Sequence, residues 1–274
     1  MAKVSLDNRN LYFEKVKPYR EVIQSILNRE DELLKNIEEK GEKAALKLLD
    51  MAEEMIYLTT NYIVLSSVSE AMLRVRNGSA LNEARKTIYK AVICLEKVVS
   101  PLIDAAFSEY EEQLEEISSV DAQRRYHIVK KMGLAIRLLD NAFGENHKWK
   151  WAFVELEGRY AAVAKNIIDL KTAVANTDPR SADYEPTVRH LRLIKRLLQN
   201  TADRYRQKYE SSTKNADDLK MGIQFLDSLR RIHTVLSERR DGEIVKKKAE
   251  TWKMRLESGM ENQQAETLKI IENG

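Results

Sequence analysis

Four histidines, one cysteine and 43 carboxylates are the residues in this 274-residue chain best suited to catalysis or metal binding. The histidines are His127, His147, His190 and His233. No two lie four positions apart, which excludes a His-Glu-x-x-His zinc helix. None follows a glutamate by three positions, which excludes the di-iron pattern of helical bundles. No arginine precedes a histidine at the spacing of helical ribonuclease sites. A lone Cys94 excludes an intrachain disulfide and a multi-cysteine zinc site. It sits in the apolar stretch 91–95 and reads as a buried, inert thiol. His233 falls on the apolar seam of its helix and reads as a core or boundary histidine. Phosphate-cradling glycine loops and the Gly-x-Ser-x-Gly elbow are both absent. The expectation is therefore a protein that is not an enzyme, with no cofactor and no metal.

Charge offers more than catalysis does. Residues 189–208 hold seven Lys and Arg against one acid, Asp203. On a helical wheel Leu191, Ile194, Leu198, Ala202 and Tyr205 cluster on one side. Arg189, Arg192 and Arg196 lie almost opposite, as an exposed ridge. Arg124 and Arg125 add positive charge earlier in the chain. In the run His147-Lys148-Trp149-Lys150-Trp151, Trp151 points about 200° away from Trp149. That makes Trp151, flanked by Lys148 and Lys150, a candidate partner anchor. The acidic counterpart is Glu109, Glu112, Glu115 and Glu116. With Glu111 they make five glutamates at one helix end, which read as a solvated interaction face, since metal sites need carboxylates converging from several helices.

The net charge of +3 conceals a division. Residues 1–120 carry 16 basic and 21 acidic side chains, and residues 121–274 carry 30 and 22. On that basis an acidic subdomain is expected over 1–118 and a basic one over 119–260. A polar tail that frays is expected over 261–274.

These side chains must be positioned by helices. Nine glycines and four prolines are too few for the turns that sheets require. The fold class expected is all-α: an elongated bundle of seven or eight mostly antiparallel long helices, arranged as two packed subdomains. Helices are predicted at 18–39, 42–76, 80–117, 122–142, 149–174, 186–211, 215–239 and 243–258. Pro101 should kink or split the third. Ser79 and Asn215 read as caps. Asp241-Gly242 reads as the break before the last helix. In the fifth, Trp149, Phe153, Leu156, Tyr160, Val163, Ile167, Leu170 and Val174 form a coiled-coil-type seam about 39 Å long. Residues 55–68 are apolar on nearly every side, yet shorter than the roughly 20 residues of a membrane span. They read as a helix surrounded by others.

With no export signal in view, the expected protein is soluble and cytoplasmic. Its expected function is that of a non-catalytic helical scaffold or adaptor. It would bind a protein partner, or itself as a homo-oligomer, through charged helix faces. The alternative is a basic C-terminal half that binds nucleic acid phosphates or an anionic membrane.

Overall fold

The computed structural model describes residues 5–35, 41–145 and 147–272, with side chains for 5–30, 41–145 and 147–258. Every regular element among them is helical. Two compact units emerge, one from residues 1–101 and 107–167, the other from 102–106 and 168–274. The charge-based boundary near Ser119 thus falls inside the first unit. The reason is that opposite charges pair across it, as described below, so a change in charge balance marks contact rather than a gap.

The first unit holds α1 (Leu6–Lys35), α2 (Glu42–Leu73), α3 (Gly78–Val98), a 3-10 turn (Phe107–Glu109), α4 (Glu111–Glu116), α5 (Ala122–Phe143) and α6 (Lys150–Asn166). Helix α2 packs against α1, α3, α4 and α5, as its apolar centre predicts. Leu49, Met55 and Leu58 are fully buried there. Each such side chain contributes roughly 1.5–3 kcal/mol. Buried polar groups on α2 bond to its own backbone: Thr59 donates to the Met55 carbonyl and Asn61 to that of Tyr57, both at 2.8 Å. Gly133 on α5 leaves room for the Tyr160 ring of α6, whose hydroxyl donates to the Val129 carbonyl at 2.8 Å.

The second unit holds α7 (Leu170–Ala175), α8 (Tyr184–Lys208), a turn of π-helix (Tyr209–Thr213), α9 (Ala216–Val235) and α10 (Arg239–Glu272). Helix α9 is its centre, packed against α8 and α10. Leu219, Phe225, Leu226 and Ile232 fill the core, with Leu198 and Ala202 of α8 and Trp252 of α10.

Several boundaries differ from the sequence expectation. Ten helices occur among the described residues, because α4 and α7 are short and separate. Helix α1 begins well before Pro18, since burial of Tyr12 and Val16 outweighs a cost of about 3 kcal/mol for an interior proline. Its expected end at Glu39 lies outside the described residues. At Pro101 the third helix is split, one of the two outcomes expected there. The long seam from Trp149 is cut after Asn166. Asn166, fully buried, donates to the Ser100 carbonyl at 2.6 Å, and Asp169 restarts the chain by accepting from the Lys171 amide at 2.9 Å. Asn77, not Ser79, caps α3 through the Ala80 amide. The last helix continues to Glu272, through most of the stretch expected to fray. No described helix is long and apolar enough to cross a membrane.

The α9–α10 break is at residues 236–238, not at Asp241-Gly242. Leu236 caps α9 and Ser237 adopts a left-handed φ of 58°. The Ser237 amide bonds to the Thr234 carbonyl and the Glu238 amide to that of His233, at 3.1 and 2.9 Å. This is a Schellman stop, built on a serine where glycine is usual. Ser237→Gly should therefore stabilise the protein by about 1 kcal/mol, measured by urea unfolding.

Candidate functional site

Arg189, Arg192 and Arg196 follow one another at helical spacing on α8 and are all exposed. Their position follows from the opposite face, where Leu191, Ile194 and Leu198 are buried. Arg189 pairs with Glu185 on its own helix. No partner of Arg192 or Arg196 occurs among the described residues. Glu185 and Asp203 lie on the same face, one at each end, so the positive stretch is about two turns long.

The other basic candidates are engaged within the molecule. Arg125 corrects the expectation of a surface contact. It is buried, and its guanidinium donates to the carbonyls of Val120, Ile117 and Ile167 at 2.9, 2.7 and 3.2 Å. It thereby ties the end of α4, the start of α5 and the end of α6 together. Arg124 meets Asp50 at 2.5 Å and Glu53 at 3.0 Å, and Lys131 meets Glu53 at 3.3 Å. Burial opposes the Arg124 charge, but the bonds to Asp50 and Glu53 outweigh it and raise its pKa.

Trp151 is less open than the sequence suggests, and Trp149 less buried than its place on the expected seam implies. Trp149 sits at the N-cap of α6, with the Arg85 guanidinium 4.0 Å and the Lys148 ammonium 4.9 Å from its ring centroid. Trp151 is half-buried, with the Lys150 ammonium 5.2 Å from its ring. Lys148 is exposed and Lys150 half-buried. On the acidic side Glu109, Glu112 and Glu115 are exposed and Glu116 is half-buried. Tyr110 and Leu114 anchor that short segment in the first unit, at 1% and 5% exposure. Cys94 is buried, and burial pushes its thiol up to about 11 despite nearby Lys97. That leaves negligible thiolate at neutral pH.

One cluster went unread in the sequence. Lys195 of α8 contacts both carboxylate oxygens of Glu238, at 2.7 and 2.9 Å. His233 Nδ1 lies 2.6 Å from Glu238 Oε2. A break at Asp241-Gly242, as the sequence predicts, would put Glu238 within α9, where it could not turn back onto His233. Burial pushes the Glu238 carboxyl up, but hydrogen bonds from Lys195 and His233, and their charges, hold it below its ordinary value. Asp241 completes a group of three with His233 and Glu238, within 4.8 Å of one another. Such a trio has the donor set for a cation, and Lys195 already fills that electrostatic role. Beside it opens a cleft of about 330 Å³, walled by Val174, Val188, Leu191, Val235 and Leu236, with Arg192 at its rim. A second cleft, about 440 Å³ and largely apolar, lies between α1 and α2 near Pro18, Tyr19, Val68 and Met72.

Arg125→Ala should lower stability by about 2–4 kcal/mol, because three carbonyls lose a buried charged donor. Chemical denaturation reads this. Glu238→Gln should cost about 1–2 kcal/mol at neutral pH, a figure reduced for partial exposure. Since the Glu238 pKa is depressed by folding, its stabilisation is present above the ordinary carboxylate value and lost as pH falls through the lower folded value. The gap between wild type and Glu238→Gln should thus close below about pH 4.3.

No curated protein matches the chain. Among solved structures, a chain described as "Computational Design of Self-Assembling Cyclic Protein Homooligomers" aligns over 91% of this chain and 99% of its own, at 12% identity and a TM-score of 0.28. That superposition is too loose to show a shared fold. Residues 8–260 match the TP0443 family, nearly the whole length, and the chain belongs to that family.

Proposed function

We propose that this protein is a non-catalytic helical scaffold that binds a protein partner, or further copies of itself, through a charged helix face. One observation carries the reading: Arg192 and Arg196 stand exposed on α8 without a partner among the described residues. Elsewhere in the same unit Lys195, Lys208 and Lys248 are held by Glu238, Asp218 and Asp203. A rigid helix of 25 residues displays the ridge, so little order has to be created on binding. Glu185 and Asp203 bracket the ridge and shorten it. That favours a compact acidic segment of protein over a phosphate backbone, which would run on past both carboxylates.

Immobilised wild-type protein and an Arg192→Glu/Arg196→Glu variant should separate the readings. The wild type should retain a partner, or its own copies, that about 500 mM salt releases and about 50 mM does not. The variant should retain it at least about tenfold less well, equivalent to about 1.4 kcal/mol. Equal retention by both would refute the reading. Salt-sensitive binding of a DNA duplex or of phosphatidylserine vesicles, lost in the variant, would replace it with phosphate recognition.

A further inference from the structure

The ridge and the cleft share a residue. Arg192 is the middle arginine of the exposed row and also stands at the cleft's rim. One turn of α8 separates it from Arg189 on one side and Arg196 on the other. Toward the cleft, the helix presents Val188 and Leu191. The opposite wall is Val235 and Leu236 at the Schellman stop, with Val174 at the end of α7. Val174 and Val235 are large apolar side chains left open to solvent, at 41% and 44% exposure.

What could occupy this cleft is narrowed by the charged groups that line it. Lys195 and Glu238 satisfy each other, and His233 bonds to the same carboxylate. These two lining groups thus present no uncompensated charge to a small polar ligand. Five aliphatic side chains, Val174, Val188, Leu191, Val235 and Leu236, share the walls with Thr177 and Ser237, and burying the aliphatic ones favours an apolar group. Of the two cations that line the cleft Lys195 is paired with Glu238, and Arg192, without a partner among the described residues, favours a carboxylate beside that group.

We infer that the α8 ridge and the adjoining cleft form one composite docking site for an acidic segment of another protein, with an aliphatic or aromatic side chain of that segment seated in the cleft. The inference rests on the scaffold reading above and narrows it. A helical segment fits, with acids at i, i+3 and i+7 facing Arg189, Arg192 and Arg196 and its anchor on the adjacent stripe. A second copy of this chain fits less well. Its own acidic face, Glu109 to Glu116, has Tyr110 and Leu114 buried in its core, so neither can enter the cleft of a neighbour.

A displayed library of acidic peptides about three helical turns long, varied at the non-acidic positions, tests this on the full-length protein. Leu, Ile, Met or Phe should be enriched at one position next to the acids. Replacing that residue by Gln should weaken binding of the selected peptide about tenfold in fluorescence anisotropy. Val235→Asp in the protein should weaken it similarly, with the far-UV circular dichroism unchanged. Val235→Leu, which keeps the wall apolar, should bind the peptide normally. Arg192→Glu should abolish binding. Enrichment of acids alone, with Val235→Asp indifferent, would overturn the cleft's part and leave the ridge reading standing. No enrichment at all would overturn the composite site, and the retention experiment then decides the ridge reading separately. Self-association in sedimentation that Arg192→Glu breaks and the selected peptide cannot displace would assign the ridge to a second copy and overturn the inference.

Discussion

Glycine and proline are scarce in this chain, so several of its helices start and stop on ordinary side chains. That constraint shapes the rest of the structure. Asn77, Asp121, Asp169 and Asn215 each accept a bond from a backbone amide at a helix start. Arg74, Lys214 and Ser237 take left-handed conformations that glycine would take more easily. Each of these three positions stores a modest backbone cost, of order 1–2 kcal/mol, that packing has to offset. At Ser237 the turn folds α10 back against α9 and delivers Glu238 to Lys195 and His233.

This explains what could be read from sequence and what could not. Helical class follows from composition, since sheets cannot be built without turn residues. The buried centre of α2 follows from a run that is apolar on nearly every side. Asn215 is a cap by residue type and position, and the structure has it bonding to the Asp217 amide. The break at Ser237 was invisible, because nothing in its identity marks a left-handed residue. Asp241-Gly242, the conspicuous signal nearby, lies inside α10. The end of α6 was hidden for a related reason. The apolar spacing continues through Leu170 and Val174, while the break depends on Asn166 reaching a carbonyl 66 residues away.

The candidate surface was partly legible in the same way. Periodicity alone separates the outward arginines of α8 from its inward leucines. It says nothing of which cations are already taken. Arg124 and Arg125 are adjacent and chemically alike, yet one pairs with carboxylates at the surface and the other bonds buried carbonyls. Their roles differ because successive residues on a helix point about 100° apart, and only the structure says what waits in each direction.

The six-residue α4 carries a consequence for how the acidic face is displayed. A helix of that length is far below the size at which helices persist alone in water. Neighbouring glutamates on it repel one another, which weakens it further. Its shape is therefore lent to it by the burial of Tyr110 and Leu114 and by the bond from Arg125 to the Ile117 carbonyl. The negative face is a conditional feature, exhibited only while its anchors stay seated. A local opening that frees those anchors would erase the face from the surface while the long helices remained intact.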